Sequence, residues 1–337
     1  MNKINPCINK KIILAALIIV LLILIIAGCK GRRVSSDNGY NDKSKNTFSD
    51  YNTFSYFKPG DYRESISVDG RSRTYLLHVP SGYKALTPLP LVIAFHGFGG
   101  DGKSMAELSK LSALADKENF FVAYPDGFER SWNHGDGARP AVKENIDDVK
   151  FVRTLIETLE KKLEIDNARI FATGFSNGAL MTERLGCELA DVLAGIAPVS
   201  GSLPKKIASS CKPAKPVLFH LIYGVADPLS PYNGGTLKSD GGDVLSAKDT
   251  LSFWGKHNGC LSKKEEKLSL QVNDGTSVTK TVYHPCTGAG TVLYSIEGGG
   301  HAWPPSSPRL QPITGKSSKN IDATKVIWEF FKAHPKQ

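Results

Sequence analysis

Near-continuous apolar stretches recur along this chain: LPLVIAFH, FFVAYPD, ARIFATGF, AGIAPVSG and PVLFHLIYG, with helix-like patterns between most of them. A strand that is apolar on consecutive residues must be buried on both faces, and a sheet covered by helices on both sides supplies that burial. The chain is therefore expected to form an α/β fold around a mainly parallel sheet, with its chemistry at the carboxyl ends of the strands. The intervening patterns predict helices over 104–117, 147–163 and 177–189, and ATKVIWEFFKAH predicts a closing helix. SISVDG and RTYLLHV, meeting at Asp69-Gly70, predict an opening β-hairpin. With 41% hydrophobic and 22% charged residues in 337, the composition is ordinary for a globular protein.

The first 28 residues stand apart. Lys3, Lys10 and Lys11 precede the unbroken apolar run IILAALIIVLLILIIAG, Ile12 to Gly28. Basic residues followed by such a run mark a targeting segment rather than a core element. Its 17 residues lie at the short limit for spanning a bilayer, and Ile26-Ala27-Gly28-Cys29 resembles the lipobox of bacterial lipoproteins. Residues 1–28 are thus expected to be a lipoprotein-type signal peptide with Cys29 acylated, an uncleaved anchor being the alternative. Residues 29–57, rich in Ser, Asn, Asp and Lys, read as a flexible tether, and 58–337 as one folded domain.

These features predict an extracytoplasmic location, membrane-anchored or secreted. Four cysteines remain beyond Cys7 and Cys29, and an oxidising compartment favours disulfides; sequence proximity points to Cys187–Cys211 and Cys260–Cys286. Free thiols are the alternative, and the spacing does not suit zinc. The net charge of +9 comes without a dense basic run carrying interleaved aromatics, so no nucleic-acid partner is expected.

Two motifs compete to define the chemistry. Gly97 to Ser104, GFGGDGKS, follows a strand and matches the phosphate-loop pattern letter for letter. Gly174-Phe175-Ser176-Asn177-Gly178 also lies between a predicted strand and a predicted helix, and its glycines would permit the tight bend that lifts a serine hydroxyl above the sheet edge. A serine hydroxyl is a weak nucleophile, so a histidine base and a carboxylate to orient it should follow in the order Ser, acid, His. Asp227 is the first carboxylate after PVLFHLIYG, with Asp240 and Asp243 as alternatives. His301, in the glycine-rich loop after TVLYSI, is better placed than His284 or His334.

The set HGFGG, YPDGFERSWN, DDVKFV, GFSNGALM, GVADPLSPYNGG and GGGHAWP, in this order from Lys58 onward, resembles the secreted polyhydroxybutyrate depolymerase and feruloyl/acetylxylan esterase-like group of α/β-hydrolases. The resemblance implies an α/β-hydrolase catalytic domain with Ser176 as nucleophile, Asp227 as acid and His301 as base. It gives the loop after LPLVIAFH a different use from phosphate binding, with the backbone N–H groups of Phe98 and Asn177 forming an oxyanion hole and Ser104 capping the next helix. The group often has His-Gly where this chain has Tyr223-Gly224. The expected partner is an ester substrate, with no metal or other cofactor.

The 36 residues after His301 leave no room in this sequence for a carboxyl-terminal polymer-binding module. The expected substrates are therefore feruloyl or acetyl esters and soluble hydroxyalkanoate oligomers. Trp132 and Trp303 are candidate aromatic platforms for such a substrate, core packing being the alternative. A nucleotide-binding protein and a non-catalytic binder on a hydrolase fold are the competing readings.

Overall fold

The computed structural model describes residues 57–238, 240–306 and 311–334; the expected signal peptide, Cys29 and the tether up to Tyr56 lie outside them. The opening hairpin forms as predicted. β1 (Gly60–Val68) and β2 (Arg71–Val79) pair antiparallel. Asp69 and Gly70 take φ of 51° and 74°, the hand that a two-residue hairpin turn needs to match the strand twist.

The predicted apolar runs become β3 (Leu89–Phe95), β4 (Phe121–Pro125), β5 (Ile165–Phe175), β6 (Gly195–Val199) and β7 (Leu218–Gly224). β3, β4, β6 and β7 are buried at every residue. A two-residue pair, β8 (Gly235–Thr236) and β9 (Asp243–Val244), stands outside the main sheet. Three further strands, β10 (Lys263–Lys267), β11 (Ser277–Tyr283) and β12 (Thr291–Glu297), complete it. The order is β1-β2-β4-β3-β5-β6-β7-β12-β11-β10. The six strands from β4 to β12 in that order are parallel, and the outer strands at both ends are antiparallel. β10 escapes a reading by apolar pattern because all five residues of KKEEK are exposed.

The helices are α1 (Gly102–Ser109), α2 (Leu111–Glu118), α3 (Pro140–Lys143), α4 (Asp148–Glu160), α5 (Asn177–Glu188), α6 (Lys205–Ala208), α7 (Ala247–His257), α8 (Gln311–Thr314) and α9 (Ala323–Ala333). The single helix expected over 104–117 is instead two, broken at Lys110, whose φ of 54° ends α1 and starts α2 on a new axis. No glycine or proline marks the break. It lets Met105 of α1 and Leu111 and Ala115 of α2 all reach one core.

Both faces of the sheet are covered. Leu91, Ile93 and Phe95 of β3 pack with Phe151 and Leu155 of α4, Met181 and Leu185 of α5 and Trp254 of α7. Val92 and Ala94 face the opposite side, with Ile327, Trp328 and Phe331 of α9. Each fully buried large side chain contributes roughly 1.5–3 kcal/mol by leaving water, so the alternation within one strand stabilises both layers at once. Cys187 at the end of α5 is bonded to Cys211 ahead of β7, and Cys260 after α7 to Cys286 after β11, the pairings expected from sequence proximity. No helix among the described residues is long and apolar enough to cross a membrane.

Candidate active site

β5 ends at Phe175, α5 begins at Asn177, and Ser176 alone makes the turn between them, with φ 57° and ψ −119°. Such a conformation costs an L-residue about 1–3 kcal/mol and persists only where the surroundings enforce it. The two flanking glycines show how tight the enforcement is. A Cβ on Gly174 would lie 2.3 Å from the Gly178 carbonyl oxygen, and one on Gly178 would lie 2.3 Å from the Phe95 carbonyl oxygen. The Ser176 amide donates to Val199 O at 3.0 Å, which fixes the turn between β3 and β6.

The turn points the hydroxyl at the loop following β12. His301 Nε2 lies 2.7 Å from Ser176 Oγ, and His301 Nδ1 lies 2.7 Å from Asp227 Oδ2. The other carboxylate oxygen, Asp227 Oδ1, accepts from the amides of Leu229 and Ser230, each at 2.8 Å. The Asp227 side chain is fully buried and that of His301 is 5% exposed. A buried carboxylate with its second oxygen satisfied by backbone keeps its charge directed at the imidazole, and Nδ1 must carry the proton for that bond to form.

None of the alternatives for these roles bonds Ser176 or His301. Asp240 faces Arg139 and His134, Asp243 accepts from Thr236 Oγ1, and His284 and His334 are exposed.

The loop after β3 completes the site. His96 Nδ1 donates to Gly97 O at 2.7 Å and Nε2 accepts from the Gly127 amide at 2.9 Å. Burial lowers the affinity of this ring for a second proton, consistent with its donor and acceptor roles. Phe98 and Asn177 both line a cleft of about 230 Å³ that contains Ser176 and His301. No hydrogen bond among the described residues takes up the Phe98 N–H, and the Asn177 N–H, at the first position of a helix, has no intrahelical acceptor.

The phosphate-loop pattern finds no phosphate site. The Gly102 amide donates to Asp126 Oδ1 and the Ser104 amide to Asp101 Oδ1, both at 2.8 Å, so protein carboxylates already occupy the start of α1. An anion placed there would face two like charges. Asp101, not Ser104, is the helix cap, with Ser104 as the reciprocal member of a capping box. Lys103 points into solvent, 78% exposed.

Residues 83–241 match the family model described as Phospholipase/Carboxylesterase. The chain is 30% identical over 278 residues to the protein named "Putative esterase NocK" of Nocardia uniformis subsp. tsuyamanensis, across 79% of this chain and 80% of that protein. The chain belongs to the esterase group of the α/β-hydrolases. This esterase is also 33% identical over 240 residues to feruloyl esterase B of Piromyces equi, covering 68% of this chain and 42% of that one. With feruloyl esterase C of Emericella nidulans the identity is 29% over 286 residues, covering 82% and 91%. Among solved structures, acetyl xylan esterase from Aspergillus awamori shares the fold, with a TM-score of 0.56 at 15% identity over 81% of this chain and 99% of that one.

The two tryptophans of the esterase require a correction. Neither lines the cleft, and neither offers a face to a substrate. Trp132 is 0% exposed, with Nε1 donating to His96 O at 2.9 Å and its amide donating to Asn177 Oδ1 at 2.8 Å, so it ties the start of the loop carrying Phe98 to the side chain of Asn177. Trp303, 1% exposed, bonds Thr324 Oγ1 at 3.0 Å inside the α9 layer.

Several supporting residues went unassigned in the sequence. Ser200, at a φ of 56°, accepts from the Ala302 amide at 3.2 Å and donates to the Ala302 carbonyl at 3.1 Å, holding the residue after His301. A serine in AGIAPVSG carries no local signal of that contact. Asp148, in DDVKFV, pairs with Arg73 at 2.7 Å and accepts from the Asn133 amide at 2.7 Å, anchoring the loop that carries Trp132. Tyr223 replaces the group's frequent histidine with a buried phenol that bonds Ser230 Oγ at 2.5 Å, tying β7 to the acid-bearing loop.

Proposed function

We propose that the esterase is an exported serine hydrolase of carboxylic esters acting through an acyl-enzyme. Ser176 Oγ attacks the ester carbonyl carbon while its proton passes to His301 Nε2. Asp227 holds the imidazole in the Nδ1–H tautomer and offsets the charge it acquires. The Phe98 and Asn177 amides donate to the oxyanion. When the tetrahedral intermediate collapses, the C–O bond to the alcohol breaks and His301 returns its proton to the departing oxygen. Water activated by His301 then releases the acid and restores Ser176. An oxyanion donor typically contributes on the order of 10²–10³ in turnover.

The observation that carries the proposal is the pair of 2.7 Å contacts linking Ser176, His301 and Asp227 on three separate loops. A non-catalytic binder would have no use for this alignment combined with a strained serine. The names of the relatives, feruloyl esterases and an acetyl xylan esterase, support feruloyl or acetyl esters as substrates, with hydroxyalkanoate oligomers as the further class to be tried. The two disulfides and the segment ending at Cys29 support export, and lipid attachment at Cys29 is proposed with it.

The test is hydrolysis of p-nitrophenyl acetate and butyrate, methyl ferulate, acetylated xylan and hydroxybutyrate oligomers by wild type and Ser176→Ala. Loss of all turnover in the variant, with phosphonate labelling of Ser176 in wild type, is the expected result. Undiminished turnover in Ser176→Ala overturns it.

A further inference from the structure

The cleft around Ser176 has one polar patch that the proposed ester cleavage does not use. Arg139 and Asp240 both line it, with Arg139 Nε 3.3 Å from Asp240 Oδ2 and side-chain exposures of only 11% and 3%. The guanidinium lies over the Phe98 ring, its central carbon 3.7 Å from the ring centroid, a cation–π contact that helps hold it in place. Asp240 is fixed as well: its backbone carbonyl accepts from the Ala138 amide at 3.0 Å, and its Oδ1 accepts from the Gly242 amide at 3.2 Å.

Beyond Asp240 stands His134, fully buried, with Nε2 3.7 Å from Asp240 Oδ2. Its Nδ1 lies 3.0 Å from Asn177 Nδ2 and accepts from it, which leaves the ring proton on Nε2 facing Asp240. Burial lowers the affinity of this ring for a second proton. Among the described residues neither His134 Nε2 nor Arg139 Nε has a hydrogen-bond partner of good geometry. This is a built polar site adjoining the nucleophile, since an ordinary surface ion pair is neither so enclosed nor stacked.

Its composition restricts what it can recognise. Asp240 offsets the charge of Arg139, so the pair holds no net charge to attract an anionic group. It offers guanidinium N–H donors beside a carboxylate acceptor, the complement of a hydroxyl group, which both accepts and donates. Phe98, Leu180, Leu229 and Leu237 give the cleft its apolar lining, beside Asn177, Ser200 and Ser230, and about 230 Å³ is below the usual range for drug-sized ligands, enough for one ring rather than an extended oligomer. We propose that Arg139 and Asp240 are specificity-determining residues that bind the ring hydroxyl of a phenolic ester substrate held in the cleft of Ser176. The inference rests on the serine-esterase reading of that cleft.

The test compares methyl 4-hydroxycinnamate with methyl cinnamate, which differ by one ring hydroxyl, in wild type, Arg139→Gln, Arg139→Lys and Asp240→Asn. Wild type should favour the hydroxylated ester in kcat/KM. A hydrogen bond to a charged group commonly accounts for roughly 10–100-fold, so the ratio of the two esters should fall by about that factor in Arg139→Gln. Arg139→Lys should recover only part of it, because an ammonium lacks the planar fork. Melting curves identify any variant that does not fold, and the ratio from the remaining variants then decides. A wild-type ratio near one, or a ratio unchanged in the folded variants, overturns the inference. Ser176→Ala assayed on p-nitrophenyl acetate separates the two readings: turnover that survives there overturns the esterase reading itself.

Discussion

Glu183 lies on α5, seven residues beyond the proposed nucleophile, with no exposed surface at all. Its Oε2 accepts from Trp254 Nε1 at 2.8 Å, while Oε1 has no partner among the described residues. Among the described residues no cation is paired with it, and burial pushes its pKa from the ordinary 4.5 up to about 8. Below about pH 4.5 the carboxyl is protonated in folded and unfolded chains alike, and its stabilising contribution is fully present. Between there and about 8 the unfolded chain releases the proton and the folded chain keeps it, so unfolding gains 1.36 kcal/mol per pH unit. The accumulated loss is about 3 kcal/mol at pH 7 and levels off above pH 8.

Glu183→Gln keeps the shape and an oxygen to accept from Trp254, and it does not titrate. Urea unfolding of both proteins with disulfides intact, at whole pH units from 5 to 8, isolates the effect because every other titrating group cancels in the difference. The Gln variant should gain on wild type by about 1.4 kcal/mol for each pH unit. A difference that stays constant with pH, or one in which wild type gains as pH rises, refutes the assignment of a neutral carboxyl on this helix.

Other outcomes follow from the same geometry. Lys103→Ala should leave ester hydrolysis unaltered and change stability by no more than about 0.5 kcal/mol, since its exposed ammonium meets Glu107 at 4.0 Å in solvent; a loss of turnover would restore a role to the phosphate-loop pattern. Gly178→Ala should destabilise by about 3 kcal/mol and abolish turnover, because the added carbon meets the backbone oxygens of Phe95 and His96 at 2.3 and 2.6 Å and neither can rotate away; unfolding and acetate hydrolysis measure both. Reducing the disulfides, with separations of 24 and 26 residues, should cost about 3 kcal/mol each. The melting temperature should then fall while the rate per folded molecule holds; a parallel fall in that rate would give the bonds a part in aligning the site.

The architecture could be read because burial on two faces leaves its mark on every consecutive residue of β3, β4, β6 and β7, and because the tight turn around Ser176 admits only glycine at Gly174 and Gly178. The places where reading failed share a cause. The break at Lys110 has no glycine or proline to announce it, and KKEEK pairs as a strand through its backbone while every side chain stays in water. Trp132 and Trp303 are rings that suit either a binding surface or a core, and nothing in their neighbours along the chain distinguishes the two.

Sequence by itself thus determined the sheet, the sharp corner and the residue types able to do acyl chemistry, since these follow from local patterns of burial and backbone freedom. Tertiary structure alone decided that carboxylates close the start of α1 to phosphate, that both tryptophans are buried, Trp132 against the site and Trp303 in the α9 layer, and that Arg139 meets Asp240 beside the serine. Those outcomes depend on which distant groups share a small volume and which of them water can still reach. Both are properties of the packed chain, and no stretch of it carries them alone.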